Sequence, residues 1–371
     1  MRFVMFYQSL ISDWNHGNAH FLRGVATELM SRGHEVEVYE PVDSWCFTNL
    51  QSICEDAAGL FQSAYPGLRS NRYDLASLDM AKALDKADVV IVHEWNGHEL
   101  VRRIGSYRAA NPCFRLLFHD THHRAITEPH NMAAYDLSGY DGVLAFGGII
   151  RDIYLERGWT QRAWTWHEAA DTRVFRPLDS LKRGDLVWIG NWGDGERTAE
   201  LEEFLLRPVR TLGIKARAHG VRYPDHALDI LDECGVEYRG WLPNFEVPSV
   251  FAEFRCTVHV PRRPYARALP GIPTIRVFEA LACGIPLISA PWEDAEGLFS
   301  PGEDFLVARN GREMERHLGD IMNDESLRQA LARRGMETVM SRHTCANRVD
   351  ELLSICSEIN GGNELVYDTG A

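Results

Sequence analysis

Apolar residues fall in two rhythms along this chain. One is the short unbroken run: Arg2–Tyr7, Val36–Tyr39, Asp88–Val92, Leu116–Phe118 and Gly142–Phe146, then Leu186–Ile189, Lys215–His219, Glu237–Tyr238, Thr257–Val260 and Leu287–Ser289. Bounded by polar or glycine-bearing loops, such runs predict strands buried on both faces of a sheet. The other rhythm is helical spacing. Phe21, Leu22, Val25, Ala26, Leu29 and Met30 recur at i, i+3/i+4 and predict an amphipathic helix that Gly33 stops. Strand and helix alternate almost throughout, which marks an α/β protein built on parallel sheets.

The alternation pauses once. Asp171–Asp185, DTRVFRPLDSLKRGD, is charged and holds Pro177, and the strand pattern then restarts. A restart of this kind predicts a second, independent α/β unit. The expected organisation is a Rossmann-like domain over 1–176, a linker at 177–184 and a second Rossmann-like domain over 185–340. Helical spacing runs from Glu313 to Ile359 and predicts two or three helices. The part at 341–360 is expected to pack back on the first domain, and the glycine-bearing tail 361–371 to be disordered.

Composition narrows the function. At 371 residues, 45% hydrophobic and 25% charged, the chain suits two domains of ordinary globular type. A net charge of −14 argues against a nucleic-acid partner, whose phosphates need a basic surface. The eight cysteines form no CxxC pair, and Cys113, Cys256 and Cys283 sit in apolar contexts. Reduced, mostly buried thiols are expected, which suits the cytoplasm. RFVMFYQ at the start is strand-like rather than a signal peptide, and no apolar run reaches the roughly 20 residues of a membrane helix.

Unusual residues gather after the strands, where ligands bind in open parallel sheets. The loop after the first strand offers Gly17 and Asn18, with His20 and Arg23 following; it suits an anion or sugar contact, or a polar helix cap. GxGxxG is absent, so it is not a dinucleotide fingerprint. Two later strand ends carry His93–Glu94–Trp95–Asn96–Gly97–His98 and His119–Asp120–Thr121–His122–His123. A metal site competes here, but HDTHH lacks the HExxH spacing and no cysteine lies nearby. His119 is expected instead to hydrogen-bond a substrate hydroxyl or steady a transition-state charge, with His93, Glu94 and His122 beside it.

In the second unit, Gly190–Asn191–Trp192–Gly193–Asp194–Gly195–Glu196–Arg197 follows the strand VWI. Its glycines let backbone approach a ligand, and Arg197 suits a phosphate. Trp241 and Leu242 suit a base pocket, and Arg262, Arg263 and Arg267 stand ready to neutralise phosphate or to form a solvated basic loop. The segment PGIPTIRVFEALACGIPLIS, Pro270–Ser289, reads as loop, helix, glycine stop and strand, with Pro273 in the first helical turn. The start of that helix makes a seat for phosphate, and Glu279 lies close enough to accept bonds from sugar hydroxyls.

By these residues the chain resembles the GT-B nucleotide-sugar glycosyltransferases that carry an E-x7-E motif. HEAADTRVFRP (His167–Pro177) is similar to the family's linker, FEALACGIPLIS (Phe278–Ser289) to its donor-site helix, and WLPNFEVPSVFAEF (Trp241–Phe254) to the elements before it. RGHEVEVYEP (Arg32–Pro41) adds to the likeness, and RVFEALACG is closest to the spore-maturation-protein-type branch. The resemblance implies two Rossmann-like domains facing each other across a cleft, acceptor on the first and nucleotide sugar on the second. Glu279 would match the ribose-binding Glu, His119 the histidine near the anomeric carbon, and Arg197 the basic position after the glycine loop. One departure stands out: the first Glu of the motif falls at Gly271.

The expectation is therefore a hexosyltransferase-like enzyme, retaining and without a metal or other cofactor, that uses a nucleotide diphosphate sugar, UDP or GDP, as co-substrate. The diphosphate would sit at Thr274, Ile275 and Arg276, near Gly190 and Asn191, with His119, Glu279 and Arg197 acting on the reaction. Gly17, Asn18, His20, His93, Glu94 and His122 would face the acceptor or sugar. The acceptor, whether small molecule, polysaccharide or protein, stays open. Alternatives are a nucleotide-sugar epimerase or hydrolase on this fold, or an inactive nucleotide-sugar-binding adaptor, for which Gly271 is the argument.

Overall fold

The computed structural model describes residues 1–193 and 195–364; Asp194, in the glycine-rich loop, and residues 365–371 of the expected tail lie outside the described part. The chain divides into two compact units, residues 1–168 with the chain from Cys345 onward, and residues 169–344. The expected linker at 177–184 falls inside the second unit.

The first unit is a seven-stranded, wholly parallel sheet. Its strands are β1 (Arg2–Phe6), β2 (Glu35–Pro41), β3 (Ser70–Tyr73), β4 (Val89–His93), β5 (Arg115–Asp120), β6 (Gly142–Ala145) and β7 (Ala163–Thr165). The spatial order β3-β2-β1-β4-β5-β6-β7 reverses direction between β1 and β4. β4 is buried at every position, as its VVIVH run implies. The helix Ala19–Ser31 buries Phe21, Leu22, Val25, Ala26 and Leu29, while Met30 is exposed.

The second unit is a six-stranded parallel sheet: β8 (Gly184–Ile189), β9 (Ala216–His219), β10 (Val236–Tyr238), β11 (Phe254–His259), β12 (Leu287–Ser289) and β13 (Leu306–Val307). Its order, β10-β9-β8-β11-β12-β13, reverses between β8 and β11. A core of Leu186, Trp188, Leu205, Ala218, Val258 and Met314 packs helices against the sheet.

Three helices close the chain: Gly311–Asn323, Glu325–Arg342 and Cys345–Glu364. The last belongs to the first unit. Trp166 Nε1 donates to Arg348 O at 2.8 Å, Arg115 Nε to Cys356 O at 2.8 Å and Trp164 Nε1 to Glu358 Oε2 at 3.0 Å. Its helical span is Cys345–Glu364.

Three short strands, β3, β7 and β13, escaped the sequence pattern. All are at or next to a sheet edge and partly exposed, so no apolar run marks them. Pro273 is a second correction. The helix runs Ile275–Ala282 with Thr274 as N-cap, and Thr274 is extended (φ −78°, ψ 158°), which leaves Pro273 outside the first turn. Cys113 is exposed rather than buried, while Cys46, Cys234, Cys256, Cys283, Cys345 and Cys356 are buried. Among the described residues no helix is long and apolar enough to cross a membrane.

Candidate functional site

Where the strand order of an open parallel sheet reverses, the loops on either side part and leave a crevice at the carboxyl ends. In the first unit that point lies between β1 and β4, and the loops there are laced together. Gln8 Nε2 donates to Trp95 O at 2.7 Å. Asn18 Nδ2 lies 2.9 Å from His93 Nε2 and 2.7 Å from Thr121 Oγ1, and His93 Nε2 lies 2.9 Å from Thr121 Oγ1. Asn18 precedes the helix Ala19–Ser31 yet makes no side-chain cap bond; its Nδ2 serves this triad and its Oδ1 lies 3.3 Å from His16 Nδ1.

His119 stands opposite His93 in register, but it is 1% exposed. Its Nδ1 is 2.7 Å from the Tyr7 hydroxyl, and its ring packs edge-on against Trp166 at 4.8 Å. Burial pushes its imidazole down to about 3, so the ring is neutral. Its Nε2 is left without a hydrogen-bond partner among the described residues. His93 is held neutral in the same way, by burial and then by the neighbouring His119.

Of the other expected acceptor residues, His20 is fully buried on its helix and Gly17 is exposed in the loop. Glu94 is fully buried against the Arg124 guanidinium, whose plane covers the Trp95 ring at 4.4 Å. Burial raises its carboxyl despite Arg124. Asp120 accepts from the Tyr154 hydroxyl at 2.9 Å and is raised to about 6, mainly by burial. His122 is half-buried between the Trp95 and His123 rings.

In the second unit the reversal lies between β8 and β11, and here the arginine-bearing loop meets the helix Ile275–Ala282 through one histidine. Arg197 is nine-tenths buried. It donates to Val260 O at 3.1 Å and to Asn191 O, and its guanidinium lies 5.1 Å from the Trp188 ring. Its Nε has no partner, and among the described residues no carboxylate pairs with it. Burial, with Arg262 and Arg276 nearby, depresses this cation to about 9. Gly193 makes the arrangement possible: at φ +94° it lies under the arginine, where a Cβ would meet Arg197 Cγ at 2.7 Å.

One residue before Val260, His259 bridges Ser289 Oγ (Nδ1, 2.9 Å) and Thr274 Oγ1 (Nε2, 3.0 Å). Sequence reading missed it, since a lone histidine in CTVHV reads as a buried strand residue. Beyond Thr274, Arg276 pairs with Glu279, and Asn244 Nδ2 donates to Glu279 Oε1 at 2.8 Å. Glu279 is fully buried. It thus engages protein groups with both oxygens rather than facing open space.

The remaining expected residues divide. Arg262 pairs with Glu196 at 2.9 Å and Arg263 with Glu200 at 2.7 Å, so these charges are already compensated. Arg267 is largely exposed. Gly190 O accepts from the Tyr223 hydroxyl at 2.8 Å, and Asn191 Oδ1 from Val221 N–H at 3.1 Å, tying the loop after β8 to the loop after β9. Trp241 and Leu242 are half-buried, following Gly240, whose carbonyl accepts from Gly220 N–H. A cavity of about 610 Å³ opens beside the same loops, walled by Trp192, Thr198, Arg222, Tyr223 and His226. Among the described residues no cluster of three or more His, Cys, Asp or Glu is placed to hold a metal ion.

Residues 197–354 match a family model described as glycosyl transferase-like. Several solved structures share the whole fold at low identity. An alpha-glucosyltransferase in complex with UDP and a 13-mer DNA is 13% identical, TM-score 0.70, over 96% of this chain and 99% of that one. Anabaena HepE, in complex with UDP and glucose, is 14% identical, TM-score 0.66, over 96% and 100%. Sucrose-phosphate synthase from Thermosynechococcus elongatus is 13% identical, TM-score 0.63, over 98% and 100%. Among curated proteins no match is found. The two parallel α/β sheets are thus those of the GT-B fold.

Proposed function

We propose that this chain is a glycosyltransferase that moves a sugar from a nucleoside diphosphate sugar to an acceptor. The observation that carries the reading is Arg197. A buried guanidinium with one unpaired N–H and, among the described residues, no carboxylate is costly unless an anion completes it. It stands at the strand-order reversal of the second sheet, beside the residues leading to the helix Ile275–Ala282. Those are the parts that a departing diphosphate needs: a fixed cation, and N–H groups already aimed.

In this reading the diphosphate rests against Arg197 and the N–H groups of Ile275 and Arg276. Thr274 stands back from the ligand as the N-cap residue, its hydroxyl on His259 Nε2, and Gly190 and Asn191 supply backbone. Glu279 acts by holding Arg276 at the helix start, and a ribose hydroxyl reaches it by replacing the Asn244 amide. The charge that develops on the leaving group is stabilised by protein groups, which supports a metal-independent reaction. Trp241–Leu242 and the Trp192–Tyr223 cavity are the two seats for the base, with UDP or GDP as expected occupants; HepE and the alpha-glucosyltransferase were each solved with UDP.

In the first unit, Asn18, His93 and Thr121 form the polar edge offered to acceptor or sugar. His119 supports that edge through Tyr7 rather than touching substrate. Retention of configuration, a hexosyl donor, a place in the spore-maturation-type branch and a cytoplasmic setting extend the same proposal. The test is release of free nucleoside diphosphate from a panel of UDP- and GDP-sugars, with and without EDTA. Release from one donor, unaffected by EDTA and lost in R197M, is the expected outcome. Equal release by wild type and R197M would refute the role given to Arg197.

A further inference from the structure

Threonine is among the residues that normally cap a helix, and Thr274 holds the extended backbone that capping uses, yet its side chain makes no cap bond. Its hydroxyl lies instead 3.0 Å from His259 Nε2. The direction of that bond follows from the far side of the ring. Ser289 has one hydroxyl hydrogen and donates it to Ala290 O at 2.8 Å. In its 2.9 Å contact with His259 Nδ1 it can therefore only accept, and Nδ1 carries the ring proton. Burial, with Arg197 and Arg276 close by, pushes this imidazole down to about 3, so it is neutral and Nε2 presents a lone pair. The Thr274 hydroxyl donates to that lone pair, and the rotamer that brings it there carries its oxygen away from the helix.

The consequence falls on the first turn. Val277 N–H bonds Thr274 O at 3.0 Å, but the N–H groups of Ile275 and Arg276 have no acceptor among the described residues. The unpaired Nε of Arg197 is a second, independent donor in need of an acceptor, and the same guanidinium bonds the carbonyl of Val260, next to His259.

We propose that His259 is a positioning residue that holds Thr274 off its own helix, keeping the Arg276 N–H open, beside that of Ile275, for the oxygens of a diphosphate. This rests on the glycosyltransferase reading for the identity of the anion. The site is an N-cap kept vacant: a hydroxyl that would fill it is tied back by a neutral imidazole, whose tautomer Ser289 sets. A free Thr274 hydroxyl, which can reach the second N–H of the helix, would compete with the ligand for that of Arg276.

A double-variant cycle, read by calorimetric titration with inorganic pyrophosphate and with UDP, tests this. H259F releases the hydroxyl to cap the helix and should weaken both ligands about fivefold, the worth of one cap bond. T274V has no hydroxyl to release and should bind within about twofold of wild type. H259F/T274V should recover most of the affinity that H259F loses. A merely structural histidine predicts the opposite, a double variant as weak as H259F or weaker, and that result overturns the proposal. T274V as weak as H259F would also overturn it. Should H259F fail to fold, amide exchange in the wild type decides: the Ile275 and Arg276 N–H groups should exchange fast and be protected by pyrophosphate, and no protection overturns the proposal. Wild type that binds neither ligand removes the glycosyltransferase reading, and this proposal falls with it.

Discussion

Charge without a partner is the residue-scale theme of this molecule. Arg23, fully buried, is satisfied by Asp13 at 3.0 Å and by the carbonyls of Leu10 and Ile11, and so braces the loop after β1. Arg197, nearly as buried, has among the described residues the carbonyls of Val260 and Asn191 as its hydrogen-bond acceptors. In the proposed reading the contrast separates a structural arginine from one that takes an anion. Glu279 belongs with Arg276 and Asn244, so E279A should free Arg276 and weaken nucleoside diphosphate binding by about 1–3 kcal/mol. Calorimetry checks this, and unchanged affinity would detach Glu279 from the site. The buried histidines are a second residue-scale signature. His119 and His259 are held near 3 and His219 near 4, each chiefly by burial. Their folded values lie below the unfolded value of roughly 6.5, so the stability they contribute is present above that pH. It is lost as pH falls towards 4 and below. Imidazole NMR should show neither His119 nor His259 titrating between about pH 5 and 7.5, and urea midpoints should drop in acid; a normal titration of either ring would contradict the packing described.

At the scale of elements, the loops after the strands do the positioning, and their backbones are as specific as their side chains. Gly271 has φ +92°, and a Cβ there would lie 2.7 Å from Glu296 Cγ. G271A should therefore destabilise the protein by about 1–2 kcal/mol from the left-handed backbone alone, and a melting temperature equal to wild type would contradict the turn. The same geometry explains why an acid cannot simply be restored at this position. Much of the element level was legible in the sequence. The central strands announced themselves as apolar runs, and Gly284 stops the helix Ile275–Ala282, bonding back to Leu281 O at 3.0 Å. Edge strands such as Ser70–Tyr73 did not, since a half-exposed strand needs no apolar run. The site was legible only as a list of loops. Residue types at strand ends pointed to Arg197, Glu279 and His119, but burial decides their roles, and burial is a property of packing that no motif carries. His259 was invisible for the same reason, and Asn244 stood out only as part of the segment Trp241–Phe254.

At the scale of the molecule, each unit is a parallel sheet whose strand order reverses once between neighbours, β1 and β4 in one, β8 and β11 in the other. Both reversals collect polar side chains: Asn18, His93 and Thr121 in the first, Arg197, His259 and Thr274 in the second. The closing helix Cys345–Glu364 completes the first unit through Trp166, Arg115 and Trp164. Removing the chain from Cys345 onward takes away buried Val349, Leu352 and Ile355, uncovers the surface they pack on and should destabilise the first unit, which proteolysis would report as earlier cleavage within residues 1–168; unchanged resistance would contradict that packing. The central claim, that the second unit holds a nucleoside diphosphate by a buried, unpaired arginine without a metal, is met most directly by calorimetric titration of wild type and R197M with UDP and GDP in EDTA. The account predicts saturable binding of one of them by wild type and a loss of at least about tenfold in R197M, the scale of a charge-assisted hydrogen bond. Binding of equal strength in R197M, or no binding of either nucleotide by the wild type, would contradict it.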